Sequence, residues 1–181
     1  MLFTFSGGGQ GAWRVVRMET LRGAPLPIAE RLMIAEGEAG EAGQPEAAWA
    51  LRGVASHLRY TLKAEADALG AKRALLGRPE ARLAALIPIR KSDAWWALAQ
   101  DERREIYEER SRHTSIGMEY LPEIARRLHH GRDLGEPFDF LTWFEYAPEH
   151  EAKFDELLAR LREREEWTYV DREIDIRLEA I

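Results

Sequence analysis

The sequence predicts an α+β chain in two halves, a truncated unit over residues 1–81 and a complete β-α-β-β-α-β unit over residues 82–181. Three observations predict it. Apolar runs of strand length recur through the second half, two stretches of helical period separate them, and a strand–loop–strand–helix series precedes them. The first half thus reads as a shortened version of the second.

Taken in order, Ser6–Gly11 (SGGGQG) looks like a phosphate-cradling loop. No clear strand precedes it and no helix follows, so it fails the dinucleotide fingerprint and reads as a flexible entry. Ala12–Leu21 (AWRVVRMETL) is rich in β-formers and reads as a strand. A loose stretch follows, with Pro25, Pro27 and then the solvated connection Glu36–Ala47. Trp49–Thr61 reads as a second strand and Leu62–Leu76 as a helix, ended by Gly77, Arg78 and Pro79.

Leu83–Ile89 is a short buried strand, and Asp93–His113 has a helical pattern with Trp95, Leu98, Ile106 and Tyr107 as its apolar positions. Ile124–Arg132 and Phe138–Tyr146 read as strands. Pro148 suits the first position of a helix in which Phe154, Leu157, Leu158 and Leu161 form one apolar stripe. Trp167–Leu178 closes as a strand with Val170, Ile174, Ile176 and Leu178 on one face. This order is the split βαβ arrangement of ferredoxin-like domains, and two such units suggest a barrel of two sheets.

With 26 basic and 32 acidic residues the net charge is −6 and no basic stripe stands out, which argues against nucleic acid as a partner. There are no cysteines, which excludes disulfides, thiolate zinc, iron–sulfur clusters and thiolate-ligated haem. Met1–Gly11 carries no secretion signal and the longest apolar runs are too short to span a bilayer, so the expectation is a cytoplasmic chain without membrane partners.

Three groups of residues could carry chemistry. His113, read at the end of a helix and seven positions after Ile106, projects an imidazole from an apolar face, as a haem's proximal side requires; the plainer account is a C-terminal histidine favoured by the helix dipole. On the strand Ile124–Arg132, Arg126 shares a face with Ile124, Leu128 and His130, while Ala125, Arg127 and His129 make a wetter face. A guanidinium among apolar neighbours implies an anionic partner, which could equally be a carboxylate of the chain. Lys91 with Trp95 and Trp96 could line a macrocycle and hold a propionate, or be a core tryptophan pair beside a surface lysine. His129 and His130 point to opposite faces and cannot grip one metal together.

The stretch Glu109–Glu179, beginning ERSRHTSIGMEYLPEIARRL, with LIPIRKSDAWW (Leu86–Trp96) and ALRGVASHLRYT (Ala50–Thr61), resembles the chlorite dismutase family. The resemblance covers most of the chain and is thin over Met1–Ala48. It implies a dimeric α+β barrel with one haem b in the C-terminal half, and the short chain resembles the homodimeric lineage. It implies His113 as the axial iron ligand and Glu166 as the carboxylate that orients it, with Glu165 adjacent. Arg126 corresponds to the distal arginine, Lys91, Tyr60 and His57 to propionate or haem-edge positions, and Trp95 and Trp96 to pocket tryptophans. Arg73 stands where short members often carry a glutamine.

The activity implied is conversion of chlorite to chloride and dioxygen through a ferryl intermediate with a transient hypochlorite held by Arg126, with chlorite or another small anion as the partner. Two alternatives remain, a coprohaem decarboxylase of haem synthesis and a non-enzymatic haem-binding barrel. The short chain and Arg126 weigh against the first, and a protein that gains no Soret band with hemin would favour the second.

Overall fold

The computed structural model describes residues 1–37, 46–55, 60–72 and 75–181. Its strands are β1 (Leu2–Gly8), β2 (Trp13–Arg22), β3 (Arg31–Glu36), β4 (Trp49–Val54), β5 (Leu83–Lys91), β6 (Ala125–His130), β7 (Phe140–Tyr146) and β8 (Val170–Ala180). Its α-helices are α1 (Lys63–Lys72), α2 (Asp93–Ala97), α3 (Gln100–Arg104), α4 (His113–Glu119) and α5 (Glu151–Arg162). A π-helical turn spans Glu105–Arg110, and 3-10 turns span Arg132–Leu134, Pro148–His150 and Glu165–Tyr169.

The strands close into one barrel in the order β1-β3-β2-β8-β5-β7-β6-β4, with antiparallel neighbours throughout. Each half supplies four adjacent strands. The order is β4-β1-β3-β2 in the first and β8-β5-β7-β6 in the second, so the same relative arrangement occurs twice.

Strand alternation sorts the apolar residues into two cores. Phe3, Phe5, Leu51, Leu86, Leu141 and Ile176 fill the barrel interior. On the outside, Ala85, Ile87 and Ile89 of β5 and Phe144 and Tyr146 of β7 meet α5, whose Phe154, Leu157, Leu158 and Leu161 are all buried, as the stripe predicts. Three charged residues of β8 point the same way. Glu173, Asp175 and Arg177 are buried beneath α5, where Arg162 bonds both Glu173 (2.8 Å) and Asp175 (3.0 Å) and Arg177 bonds Asp155 (2.7 Å). Each of these buried charged side chains has a partner of opposite sign, which offsets the cost of its burial. No described helix is long and apolar enough to cross a membrane.

Several expectations are corrected. The flexible entry is wrong over Ser6–Gly8, which belong to β1; the indole of Trp49 packs where a Cβ on Gly7 would stand, so glycine here permits close approach. The loose stretch after Leu21 contains β3, paired with β1 from Arg31 to Glu36. Within the connection after it, residues 38–45 lie outside the described residues. The second strand ends at Val54 and the following helix runs Lys63–Lys72; residues 56–59, with His57, and residues 73–74, with Arg73, also lie outside them. The helix expected over Asp93–His113 is broken into α2, α3 and the π turn, and His113 starts a new helix. Val170 does not share the face of Ile174, Ile176 and Leu178. Between Lys91↔Val170 and Arg90↔Arg172, β8 carries one extra residue, Asp171, so Val170 packs in the outer core.

The face of β6 expected to be wet is interior. His129 is 2% exposed and sits edge-on to Phe3 and Phe5, with ring centroids 5.1 and 5.0 Å away. Its Nδ1–H donates to the Leu141 carbonyl (3.0 Å), and burial pushes its pKa down to about 4 from 6.5 despite that bond. The unfolded chain therefore binds a proton between about pH 6.5 and 4 that the folded chain refuses, and stability falls on acidification through that window. The difference amounts to about 3 kcal/mol. Urea unfolding across this range should show that loss, and His129→Gln should flatten the slope whatever its effect at neutral pH.

Candidate active site

His113 owes its position to a break no sequence pattern announces. Arg112 takes a left-handed conformation (φ 55°), which ends the preceding helical run and redirects the chain into α4. Glu108, buried in the π turn, accepts the backbone N–H groups of Thr114 (2.6 Å) and Ser115 (3.1 Å) and also the Ser115 hydroxyl. It thereby caps the new helix and fixes its direction. The dipole account of a C-terminal histidine does not apply, because His113 opens α4.

The imidazole is anchored on one side. Its Nδ1–H donates to Glu166 Oε2 at 2.6 Å, and the other carboxylate oxygen, Oε1, accepts from Lys91 Nζ at 2.8 Å. Lys91 also donates to the Glu166 carbonyl (3.2 Å), and Ser111 Oγ accepts the Glu166 backbone N–H (3.0 Å). Burial alone would raise the Glu166 pKa, but its interactions with His113 and Lys91 outweigh it and hold the carboxyl down to about 2. A fixed carboxylate at Nδ1 leaves Nε2 as the free nitrogen, with no hydrogen bond to it among the described residues. Tyr107 stacks on the ring at 4.5 Å and 22°, and burial, then the nearby Glu166 charge, push its phenol pKa up.

His113 lines a cavity of about 800 Å³. Its apolar wall comes from the outer core: Ile87, Ile89, Phe144, Leu158, Leu161 and Trp167. Ala66, Leu69 and Gly70 of α1 close another side. Arg126 and Arg127 line it too, and no Asp or Glu is among the described lining residues. Arg126 is partly buried, with no hydrogen-bond acceptor or carboxylate among the described residues, and desolvation lowers its pKa. Its guanidinium lies over Gly117, where any Cβ would collide with it. A cavity lined by two guanidinium groups, with no carboxylate among its described lining residues, favours an anion.

The structure brings His113, Glu166 and Lys91 into one chain of contacts and sets Arg126 in the same cavity as His113. Glu166, not Glu165, holds the imidazole; Glu165 is exposed and pairs with Arg110 (3.0 Å). Lys91, Trp95, Trp96 and Tyr60 are not among the cavity-lining residues. Lys91 is 5% exposed, so it is not a surface lysine, and it lies over the buried Trp95 ring (4.6 Å). Trp96 donates to Asp139 (3.1 Å) and carries Arg132 on its ring face. The Tyr60 hydroxyl accepts from Arg103 (3.2 Å) and its ring meets Trp95 and Tyr107.

Sequence reasoning missed Glu108, Gly117 and Tyr107. Gly117 alone left a signal, since a glycine inside a helix costs about 1 kcal/mol relative to alanine and needs a reason.

Comparisons with known proteins identify the family and the fold. The profile of the family described as Chlorite dismutase matches residues 41–178. A protein from Ideonella dechloratans named chlorite dismutase is 31% identical over 97 residues, covering 52% of this chain and 33% of the relative. The matched region thus spans about a third of that relative's length. A crystal structure of dimeric chlorite dismutases from Nitrobacter winogradskyi superposes with a TM-score of 0.91 at 54% identity, covering 98% of this chain and 99% of that one. A mutant chlorite dismutase from Candidatus Nitrospira defluvii, at 21% identity, shares the fold with a TM-score of 0.71 over 99% of this chain and 91% of that one. With its profile match running through β4 to β8, this chain belongs to the chlorite dismutase family.

Proposed function

We propose that the cavity takes haem b and that the protein converts chlorite into chloride and dioxygen, as a homodimer whose chains each contain two ferredoxin-like halves, residues 1–81 and 82–181. One observation carries the reading. A single cavity, with no carboxylate among its described lining residues, is lined both by an imidazole whose Nδ1 is already engaged and by a guanidinium with no partner among the described residues.

The residues present suit the cofactor. His113 offers Nε2 to a metal, which is the donor an axial site needs. Gly117, one turn further along α4, leaves room for the Arg126 guanidinium beside the cavity, and the apolar wall suits a macrocycle's faces. About 800 Å³ lies in the upper range of cofactor pockets. When bound, the haem iron supplies the redox chemistry by which oxygen is taken from chlorite and released as dioxygen.

The chain's own residues do the rest. Glu166 keeps the proton on Nδ1 of His113, fixing the tautomer and strengthening the donor. Lys91 balances the charge of Glu166 in a site closed to water. Arg126 would draw in the chlorite anion and, through charge-assisted hydrogen bonds, would keep a hypochlorite anion from escaping the cavity. The dimeric relative, 54% identical over nearly the whole chain, supports the homodimer, and the repeated strand order supports the two halves.

The test is direct. Chlorite added to hemin-loaded protein should release dioxygen on an oxygen electrode, and a loaded protein that releases none is not this enzyme. Glu166→Gln keeps the shape but removes the charge that polarises Nδ1–H. It should lower hemin affinity or turnover roughly 10- to 100-fold and raise the ferric/ferrous potential in spectroelectrochemistry.

A further inference from the structure

The hydrogen bond to Glu166 does not hold the His113 imidazole completely. It fixes where Nδ1 lies, 2.6 Å from the carboxylate. The tilt of the ring plane is set by χ2, which in histidine is a broad torsion with no sharp preference of its own. A modest turn about χ2 bends the Nδ1 bond only slightly, and acceptor geometry at an sp² oxygen tolerates such bending. The same turn swings Nε2, the nitrogen left for a metal. A further restraint must therefore set the plane.

The ring of Tyr107 is placed to do so. Its centroid lies 4.5 Å from that of the imidazole, with 22° between the planes. At this separation a tilt toward the phenol meets ring atoms, and a tilt away gives up the face contact. Trp167 is also near-parallel to the imidazole, at 19°, but its centroid is 6.2 Å away, so Tyr107 makes the closer contact.

Tyr107 is itself tied to the turn that carries His113. It belongs to the π-helical turn Glu105–Arg110, and its neighbour Glu108 accepts the backbone N–H groups of Thr114 and Ser115. Its hydroxyl accepts from Thr114 Oγ1 (3.4 Å), and its ring meets Tyr60 at 5.8 Å and 52°. Two consecutive residues of the π turn thus serve α4, Glu108 through the backbone and Tyr107 through the imidazole face. A π turn within a helical run is often found where a side chain must be re-aimed for function.

We infer that Tyr107 is a positioning residue that sets the plane of the His113 imidazole, and with it the direction of Nε2, through the face of its ring and not through its hydroxyl. The consequence for a bound metal rests on the function proposed above; the restraint on the imidazole does not. A Tyr107 that only fills space would leave the tilt to Glu166 alone.

NMR on histidine-labelled, hemin-free protein separates these. Carbon-13 relaxation at Cε1–H of His113 reads motion of the ring, and the nitrogen-15 shift of Nδ1 reads the proton shared with Glu166. Tyr107→Leu and Tyr107→Met keep apolar bulk and lose the flat face, whereas Tyr107→Phe keeps the face and loses the hydroxyl. In the first two the order parameter should fall from about 0.85 to below about 0.6 with the Nδ1 proton retained, and Tyr107→Phe should match wild type. In hemin-loaded, cyanide-treated protein the haem methyl proton shifts report the orientation of an axial imidazole. Tyr107→Leu should move or split them and weaken hemin binding about tenfold, and Tyr107→Phe should do neither. A ring as rigid in Tyr107→Leu and Tyr107→Met as in wild type would overturn the inference. So would a ring as mobile in Tyr107→Phe as in Tyr107→Leu, or loss of the Nδ1 proton in the leucine and methionine variants, which would mean that the whole side chain is displaced. If the wild type takes up no hemin, the proposed function fails while the hemin-free relaxation still decides on Tyr107.

Discussion

His113→Ala should abolish stable hemin binding. Titration of hemin into the variant is expected to lack the sharp Soret shift of the wild type, with affinity reduced at least ~100-fold, since losing outer partners alone costs roughly 10- to 100-fold. The fold should survive, because Glu108 holds the start of α4 through the backbone N–H groups of Thr114 and Ser115 and not through the imidazole. The loss also leaves Glu166 paired with Lys91, so no buried charge is stranded. Imidazole added at millimolar level should restore part of the Soret band by filling the space left beside Tyr107. A variant that binds hemin as tightly as wild type would show that another residue ligates the iron.

Arg126→Ala should have the opposite profile: hemin bound, oxygen release from chlorite reduced about 100- to 1,000-fold, as expected when an oriented charge at the reacting anion is removed. Among the described residues it has no acceptor to leave orphaned, and its partly buried charge is a cost to the folded state. The variant should therefore melt no lower than wild type, and Arg126→Met should melt higher while staying inactive. That combination is the mark of a group kept for function against stability. Unchanged turnover in the oxygen electrode would overturn the role; a collapsed melting temperature would show a structural one.

Parts of the fold are legible where one period dominates. The α5 stripe from Phe154 to Leu161 and the continuous apolar run of β5 have no competing interpretation. β1 is hidden because Ser6, Gly7 and Gly8 have turn composition, and what makes them a strand is the Trp49 indole, a residue distant in sequence. The break before His113 is hidden because Arg112 is an unexceptional residue; its left-handed conformation is held by Glu108, which no local rule anticipates.

The site divides in the same way. Alternation along β6 places Arg126 among apolar neighbours, but polarity misplaces the opposite face, because a neutral histidine bonded to a carbonyl can serve as core. Lys91 reads in sequence as a surface or cofactor-edge cation, and its burial is explained by the Glu166 carboxylate and carbonyl together with the Trp95 ring. Resemblance supplies the pairing of His113 with Glu166, and geometry settles the choice between Glu165 and Glu166.

Asp171 has a wider meaning than its exposed ion pair with Arg90 suggests. Inside and outside on a strand are a matter of odd and even, and one surplus residue inverts the count for everything on one side of it. Glu166, Trp167 and Val170 lie on the inverted side, while the residues that fill the barrel lie on the other. Excising this one residue, which touches neither the imidazole nor the cavity, would force a choice between a mispaired barrel and a carboxylate turned away from its histidine. The address of the active centre is thus kept partly in an odd number.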